Sequence, residues 1–503
     1  MAGEDQEAIA PDQLNIQLKN VKDGVFEAGD EGEEPEKPQT LKIYQRRWLI
    51  LACVAILNNS NTMTWISFAP VSNYCNAVYG EGSAAWFSMV YMMMTIPVGL
   101  FSMWAGRHFG TKTALYIAAI ANVLGAAIRL SSSFLPITMA FPVGIFGQGI
   151  AAVAYPFIMY LPSKVANSWF PHNQRAIATT IGAMSNPLGV LLANTIAPAI
   201  VTEKEHILLL NVFVFVPALV GFILTIGSVR SGEPKVPPSF SASQTQMDFI
   251  PGLKQCLSSP QYLILFVVMG GGIGMFNCLY TIIQPLLCPY GYSNKFVGLC
   301  AALMILGGLV GATCSSIFVD KSKMYEETMK ACLGLAVVFG LAFLQLSLRE
   351  GFRVLISLCC FCFGMLGLAS YPVGLELSVE CTHPVSEATA TGLIVLSGQV
   401  QSVIYVMIMK NFQANFTEIP KNQTCSLGEL DRANTPVDST VSVMIFSAIA
   451  VVLVLILVVF FKPVYRRLEA EKANRAVADK SAEAKKDGKG LPDQNDVVAP
   501  LNA

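Results

Sequence analysis

The amino-acid sequence predicts an all-α membrane protein with twelve membrane-spanning helices in two six-helix halves. The first observation is charge: the 420 residues from 43 to 462 hold 16 acidic and 21 basic residues. About 9% of this region is therefore charged, against roughly 25% in a soluble domain. The second is hydropathy, since the mean hydropathy is +0.53 and 53% of all residues are apolar. Together these values disfavour a soluble enzyme, a nucleic-acid-binding protein and a small disulfide-rich protein.

Twelve apolar runs predict the individual spans. A helix needs about 20 mostly apolar residues to cross the hydrocarbon core of a bilayer. The Gly and Pro residues inside the runs are compatible with membrane helices. The runs lie near 48–74, 85–105, 112–130, 136–161, 175–200, 207–229, 260–287, 296–318, 330–348, 353–379, 388–411 and 440–462.

These runs divide the chain into five segments. The six-helix halves occupy residues 45–230 and 260–463, and a Pro- and Ser-containing stretch at 231–259 links them. Residues 1–44 form an acidic tail, and residues 464–503 form a tail rich in Lys, Glu and Ala. We expect the first tail to be disordered and the second mostly so, because neither contains enough apolar sequence to fold.

The distribution of Lys and Arg predicts the orientation. Alternate loops and tails place 16 basic residues on one side of the membrane and 8 on the other. Because cytoplasmic loops are the richer ones, both termini are predicted to be cytoplasmic. Two glycosylation sequons, at Asn415 and Asn422, then lie outside, and we expect the plasma membrane, with an internal membrane as the alternative. Cys288 and Cys425 also lie outside, so a disulfide between them is conceivable.

A weak internal repeat favours a transporter. The fourth run contains Tyr155-Pro156 and the tenth contains Tyr371-Pro372, and each leads to an Ala/Thr-rich string. The offset is about 211 to 216 residues, which corresponds to six spans and the linker. Parallel six-plus-six repeats are typical of carriers that bind substrate between their halves. Chance similarity of short strings is the alternative.

A short charged loop in each half resembles a superfamily signature. Gly311 leads into Asp320-Lys321-Ser322-Lys323, which resembles the Gly-x-x-x-Asp-Arg-x-Gly-Arg-Arg loop of the major facilitator superfamily. The first-half counterpart keeps Gly99 and Arg107 but lacks the acidic residue. The resemblance implies the major facilitator fold and a cytoplasmic latch between the halves. We expect that latch to contain Arg107, Asp320, Lys321, Lys323, Glu376 and Glu380.

Longer strings across residues 44–468 resemble one family, solute carrier family 49, also called the feline leukaemia virus subgroup C receptor family. Its better-understood members carry choline and ethanolamine, and haem export has also been attributed to them. The resemblance therefore implies a small-molecule substrate, either a choline-like cation or haem. The strings are Tyr44-Gln-Arg-Arg-Trp48, Asn61-Thr-Met-Thr-Trp65, Leu161-Pro-Ser-Lys-Val-Ala-Asn-Ser-Trp-Phe170, Val319-Asp-Lys-Ser-Lys-Met-Tyr-Glu-Glu-Thr328 and Gly374-Leu-Glu-Leu-Ser-Val-Glu-Cys-Thr-His-Pro384.

The same resemblance implies a substrate site. The choline carriers hold the quaternary ammonium against a Trp and a Tyr, with two Gln residues nearby. Trp65 matches the Trp, and Gln399 matches one Gln. Tyr155 stands where the second Gln is expected, and Asn277 where the Tyr is expected, so half of this cage is changed. A cation–π site built from Trp65 and Tyr155 is still compatible with the sequence.

The residues themselves point to the same helices. Asn61 and Trp65 are four residues apart in a run rich in Asn, Ser and Thr, so they share a helix face. Such a face either lines a cavity or bonds to neighbouring helices. Gln148 and Asn277 are further uncharged polar residues inside apolar runs, and Asn186 lies in the fifth run at a depth similar to that of Gln399. We expect Gln148 and Asn277, with Gln399, to face the same cavity.

Charged residues are absent from the centres of the predicted spans. Arg129, Lys410 and Glu376 lie towards helix ends, where long side chains are expected to reach the surface or loop contacts. A path without carboxylates or His favours facilitated diffusion, as in a uniporter, over proton symport. The four His residues lie in or near loops, which disfavours an axial haem ligand at the midplane.

These observations predict a carrier in the lipid bilayer that is monomeric. No catalytic constellation, cofactor, metal site or nucleic-acid partner is predicted. Haem or porphyrin export, and a receptor or sensor that does not transport, are the alternatives.

Overall fold

The fold consists almost wholly of helices. A computed structural model describes residues 44–231 except 109, 160 and 171; 249–416 except 383 and 384; 423–425; and 435–466 except 464. Both predicted tails lie outside these residues apart from their inner ends, as does most of the linker. Twelve helices in the described ranges are long and apolar enough to cross a membrane, which confirms the predicted number.

The first half contributes six spans and two short helices. Its 3-10 turns lie at Ala69–Val71 and Lys204–His206. The short helices α2 and α6 extend the spans that precede them. The helices are α1 (Arg46–Ile66), α2 (Ser72–Tyr79), α3 (Ser83–His108), α4 (Gly110–Ser132), α5 (Ile137–Met159), α6 (Leu161–Trp169), α7 (His172–Ile200) and α8 (Ile207–Ser228).

The second half contributes the other six spans. A 3-10 turn at Cys288–Tyr290 follows its first span, and a two-stranded antiparallel ladder precedes its last. The elements are α9 (Phe249–Ser258), α10 (Pro260–Leu287), α11 (Asn294–Ser322), α12 (Tyr325–Ser347), α13 (Arg353–Thr382), α14 (Glu387–Asn411), β1 (Ala414–Asn415), β2 (Val437–Asp438) and α15 (Thr440–Phe460).

The first span is broken near its end. Together α1, the turn and α2 cover Arg46–Tyr79, which is 34 residues and longer than one crossing requires. Pro70 lies inside the break, and its missing N–H removes a hydrogen bond that would continue the helix. The break follows directly after the Asn61–Trp65 segment, so it positions that segment relative to the rest of the bundle.

Glycine residues bring the spans of each half into backbone contact. In the second half, a Cβ at Gly311 would lie 1.7 Å from the Met365 carbonyl oxygen, so α11 and α13 touch directly. In the first half, a Cβ at Gly125 would lie 2.3 Å from the Ala151 nitrogen, so α4 and α5 do the same. Without a hydrophobic driving force in lipid, such close packing is a main source of helix association.

The two halves also meet through glycine. A Cβ at Gly99 in α3 would lie 2.4 Å from Leu396 Cδ2 in α14. A Cβ at Gly298 in α11 would lie 2.2 Å from the Asn194 carbonyl oxygen in α7. These two contacts hold the halves side by side and leave space between them.

One end of the bundle carries the Cys288–Cys425 disulfide, and the other carries the linker; we call them the disulfide end and the linker end. At the disulfide end, Ser72 Oγ donates to Gln284 Oε1 at 2.6 Å, and Asn294 Nδ2 donates to Asn73 Oδ1 at 2.8 Å. Both bonds join one half to the other, so the halves are in polar contact on this side of the space between them.

The linker contains a helix that packs on the second half. Phe249, Leu253 and Cys256 recur at helical spacing in α9, and Cys256 is fully buried against the second-half core. Burial raises the pKa of the Cys256 thiol to about 11, so it remains protonated at neutral pH. The described part of the linker is therefore fixed to the second half.

Candidate functional site

A cavity of about 60 Å³ lies between the halves. Four spans of the first half (α1, α3, α5 and α7) and two of the second (α10 and α14) contribute to its wall. None of the nine lining residues is charged. They are Asn61, Thr62, Trp65, Tyr91, Thr95, Tyr155, Asn186, Asn277 and Gln399.

The structure brings together five of the six residues that the sequence proposes for substrate contact. Their distribution over both halves is the arrangement expected of an alternating-access site. Their part in binding stays a prediction, because it follows from position alone. The five are Asn61, Trp65, Tyr155, Asn277 and Gln399.

Asn61 is held rigidly in the α1 wall. Its side chain is 1% exposed, and its Nδ2 donates to the Ala151 carbonyl oxygen at 2.9 Å and to Asn122 Oδ1 at 3.0 Å. Because a carbonyl oxygen only accepts, the bond to Ala151 fixes which way the amide points. Asn61 Oδ1 and the neighbouring Trp65 Nε1 are both buried and have no hydrogen-bond partner among the described residues.

Another part of the polar α1 face bonds to α7. Asn186 Nδ2 donates to Thr62 Oγ1 at 2.8 Å, and Asn58 Nδ2 donates to the Gly182 carbonyl oxygen at 3.0 Å. A Cβ at Gly189 would lie 2.5 Å from the Asn59 carbonyl oxygen, so the two helices are also in backbone contact there. The face therefore does both things that its composition allows: it lines a cavity and it joins helices.

The second-half wall is formed by α10 and α14. Asn277 Nδ2 donates to Ser402 Oγ at 3.1 Å, and that hydroxyl donates to the Gly398 carbonyl oxygen at 2.6 Å. Gln399 is 5% exposed and lines the cavity one residue after Gly398. These bonds keep Asn277 close to α14 and leave Gln399 at the cavity.

Aromatic rings make up much of the first-half wall. Trp65 and Tyr155 pack on a small buried cluster formed by Tyr91, Ala151 and Ala152. Trp65 and the two tyrosines all line the cavity, and aromatic faces attract organic cations. The wall can therefore accommodate either a cationic or an uncharged polar solute.

Arg129 is buried, which corrects the expectation that its side chain reaches the surface. It is 1% exposed, and its guanidinium lies 3.8 Å from the ring centroid of Phe68. Nη1 donates to the Thr64 carbonyl oxygen at 2.7 Å, Nη2 to Ser67 Oγ at 2.7 Å, and Nε to Asn211 Oδ1 at 2.9 Å. Thr64 and Ser67 flank the end of α1, so these three bonds, two of them at the break, outweigh the preference of the side chain for the surface.

Gln148 lies with Arg129 and not in the cavity wall. It is fully buried, its Oε1 accepts from Arg129 Nη1 at 3.1 Å, and its Nε2 donates to the carbonyl oxygens of Thr64 and Phe87 at 3.0 and 3.1 Å. The sequence gives no means of telling this role from a cavity role. Both require an uncharged polar residue inside an apolar helix.

The predicted latch residues lie at the linker end. Lys321 and Lys323 are exposed at the end of α11, Glu376 is exposed, and Glu380 is 7% exposed in α13. The side chains of Arg107 and Asp320 lie outside those that the structure describes. The latch as a set of contacts stays a prediction.

The loop between the last two spans is tied to α10. Cys288 and Cys425 form a disulfide with their Cα atoms 4.9 Å apart. Thr424 adds two bonds, from its N to the Cys288 carbonyl oxygen at 2.9 Å and from its Oγ1 to the Tyr292 carbonyl oxygen at 2.7 Å. Asn415 is exposed in β1, and Asn422 lies outside the described residues. The disulfide that the sequence left open is therefore formed.

Four lining residues were not among those proposed from the sequence: Thr62, Tyr91, Thr95 and Asn186. Tyr91 and Thr95 are four residues apart in α3, and Thr95 Oγ1 donates to the Tyr91 carbonyl oxygen at 2.7 Å. Their spacing is the same signal that identified Asn61 and Trp65. Thr62 belongs to the polar α1 cluster but was not separated from its neighbours.

Comparison with known proteins identifies the family to which this chain belongs. Residues 48–405 match the Major Facilitator Superfamily. Solute carrier family 49 member A3 of Xenopus tropicalis is 36% identical over 86% of this chain and 90% of its own length. The chain belongs to solute carrier family 49 of the major facilitator superfamily. It is a multi-pass membrane transporter, as the sequence strings predicted.

Two more distant proteins complete the comparison. The human choline/ethanolamine transporter FLVCR2 is 27% identical to this solute carrier over 77% of the chain and 76% of its own length. A D-xylose-proton symporter of known structure superposes with a TM-score of 0.60 at 14% identity, covering 83% of this chain and 98% of that one. At that identity, the likeness to the symporter shows the major facilitator fold alone.

Proposed function

We propose that the chain is a facilitative carrier of a small polar or cationic organic solute, of the choline or ethanolamine kind, working by alternating access. One observation carries the proposal: an uncharged, polar and aromatic cavity lies between the halves and is lined from both. The cavity contains Trp65 and Gln399, which match the site residues of the choline carriers. The name of FLVCR2, a choline/ethanolamine transporter, supports the same solute class.

The cavity also supports uniport. A proton-coupled carrier usually needs an intramembrane carboxylate or His that gains and loses the proton during the cycle. The nine lining residues include neither. Arg129 is buried in the first half, but its bonds hold it at the α1 break and it is not among the lining residues.

We further propose that the disulfide end faces outward at the plasma membrane and that both termini are cytoplasmic. The excess of basic residues lies at the linker end, and the exposed Asn415 lies at the opposite end, where a glycan on it would be accessible. Asn422 is a second glycosylation candidate. We propose a monomer, since one chain supplies both halves of the cavity.

Uptake of radiolabelled choline and ethanolamine tests the solute class. Cells that express the wild type should accumulate at least one of the two above empty vector, and Trp65→Ala should abolish the excess. Trp86→Ala is the matched control, because Trp86 is 41% exposed on α3 and is not a lining residue. Equal uptake by wild type and empty vector would refute this solute class. Binding without flux in proteoliposomes would indicate a receptor, and a change in cellular haem after knockout would indicate haem export.

A further inference from the structure

The second half contains a cavity of its own, of about 40 Å³. Four spans form its wall (α10, α12, α13 and α15), and none of its twelve lining residues has a polar side chain. We call it the second-half cavity. It shares no lining residue with the cavity between the halves, but both border α10. Phe276 lines the second-half cavity, and the next residue, Asn277, lines the other.

Small residues at the middle of the spans create this space. Ala336 and Ala450 are the middle residues of α12 and α15, and Gly272 lies within two residues of the middle of α10. A Cβ at Gly272 would meet only one atom within 4 Å, which is Leu333 Cδ1 at 3.9 Å. Three helices therefore leave room at the same depth.

This depth determines what surrounds the second-half cavity. A span crosses a hydrocarbon core about 30 Å thick, and its middle residues lie where the acyl chains of the two leaflets end. The second-half cavity is therefore level with the methyl ends of the lipid chains.

Hydrocarbon is a better occupant of the second-half cavity than water. A buried water needs two to four polar partners, and the lining side chains offer none. An empty cavity is also unfavourable, because its lining atoms lose dispersion contacts. A water molecule takes about 30 Å³ in the liquid, and a methyl group is of similar size, so the end of an acyl chain fits.

The second-half cavity comes close to the lipid-facing surface where α12 and α15 pack against each other. These two are the most exposed spans of the second half. Val337 and Val454 line the cavity and are half-buried, and the residues directly after them, Val338 and Leu455, are 59% and 54% exposed. A chain end that passes between Val337 and Val454 therefore meets no polar side chain on its way into the cavity.

We infer that the second-half cavity binds the methyl end of a phospholipid acyl chain, which enters between α12 and α15. The chain end packs against Met275 of α10 and Leu453 of α15, both of which are 8% exposed. It supports α10 behind the wall that carries Asn277, so the lipid becomes part of the second-half core. This lipid site does not depend on which solute the protein carries.

Nuclear Overhauser contacts of methionine methyl groups test the inference. The full chain, deuterated except for ¹³C-labelled methionine methyls, is reconstituted in nanodiscs of dioleoylphosphatidylcholine. Met275 lines the cavity, Met304 is fully buried outside it, and Met444 is 58% exposed on α15. We expect Met275 to contact the terminal methyl of the lipid chains, Met444 to contact lipid chains as well, and Met304 to contact none.

Two variants fill the second-half cavity with protein. Ala336→Val and Ala450→Val each add two methyl groups, from α12 and from α15. Both should abolish the contact of Met275 with lipid and leave that of Met444 in place. Ala331→Val, at an exposed position on α12, is the matched control and should keep both contacts. An unchanged chemical shift of the Met304 methyl shows that a variant is folded.

Three results would overturn the inference. The first is a wild-type Met275 that contacts no lipid while Met444 does, and the second is contact of Met275 with water. The third is a lipid contact that survives in both filled variants, which would place the chain end outside the second-half cavity. None of these results bears on the uptake of choline or ethanolamine, so the proposed function is tested separately.

Discussion

The first helices of the two halves, α1 and α10, end in opposite ways. At the end of α1, the Thr64 carbonyl oxygen and Ser67 Oγ accept hydrogen bonds from the buried Arg129, and Gln148 donates a further bond to Thr64. At the end of α10, the chain is held covalently by Cys288–Cys425. Each helix carries cavity residues within about three turns of that end.

The ends of α1 and α10 are held differently although the two halves share one fold, so the two walls of the cavity need not be equally rigid. A buried guanidinium with four hydrogen bonds holds several helices of the first half against one another, since its acceptors lie in α1, α5 and α8 and in the turn after α1. The disulfide holds α10 only to a loop at the surface. The first half is therefore held by a buried charge that bonds to several helices. In contrast, α10 is held inside by neutral hydrogen bonds to α14 and by close packing of glycines, and it is fixed at its tip.

Arg129, with its hydrogen bonds to the end of α1, is called here the α1 clamp, and the Cys288–Cys425 disulfide is called the α10 clamp. The largest expected effect on stability comes from removing the α1 clamp. Arg129→Met leaves the Asn211 oxygen and the Gln148 oxygen buried without their donor, along with Ser67 Oγ. Each such group costs about 1–3 kcal/mol, so we expect a loss of at least about 3 kcal/mol and very little folded protein. Yield and melting temperature in detergent measure it.

Arg349→Met is the control for this substitution, since the Arg349 side chain is exposed at the disulfide end and the bond from Tyr292 goes to its backbone oxygen. It should express and melt like the wild type. Normal expression and melting of Arg129→Met would show that the clamp does not hold the first half.

Removing the α10 clamp should have a smaller effect. The double substitution Cys288→Ser and Cys425→Ser frees the loop, but both Thr424 bonds can persist. We expect a loss of about 2 kcal/mol, at the lower end of what disulfides contribute. Thermal unfolding measures it, with Cys314→Ser, an exposed free cysteine on α11, as control. A loss as large as that of Arg129→Met would remove the distinction between the two clamps.

The sequence predicts the fold and most of the cavity for a simple reason. Apolar length determines the spans, and uncharged polar residues inside apolar runs must be paired or face a cavity, which selected Asn61 and Gln399. Trp65 was selected because it shares a helix face with Asn61 and matches the Trp of the choline carriers. The same rule could not separate Gln148 from these, because its partner Arg129 comes from another helix. The position of Arg129 near a helix end predicted an outward side chain, and only the tertiary position of the α1 break reversed that.

The next smaller effect is expected from disturbing the close packing of α10 against α14. A Cβ at Gly270 would lie 2.4 Å from Ser397 Oγ and 2.8 Å from Ser397 Cβ, so Gly270→Ala forces α10 and α14 apart. Overpacking of this kind costs about 1–3 kcal/mol, and we expect a value near the lower end together with reduced uptake. Gly272→Ala is the matched control on the same helix, because its Cβ would meet only Leu333 Cδ1 at 3.9 Å. A melting temperature for Gly270→Ala equal to that of the control would refute glycine packing as a support of α10.

The smallest effect on stability should come from the α10 cavity residue itself. Asn277 is half-buried and donates one described side-chain bond, to Ser402 Oγ, whereas Asn61 is 1% exposed and donates to both Ala151 and Asn122. Asn277→Ser should therefore cost less than about 1 kcal/mol, and Asn61→Ser should cost more, because it deprives two buried acceptors of their donor. Melting temperatures of the two variants compare the walls directly, and uptake of choline and ethanolamine shows whether Asn277→Ser alters transport without altering stability. Equal destabilisation by the two substitutions would show that Asn277 supports its wall as strongly as Asn61 does, and the asymmetry between the halves would then lie in the Arg129 clamp alone.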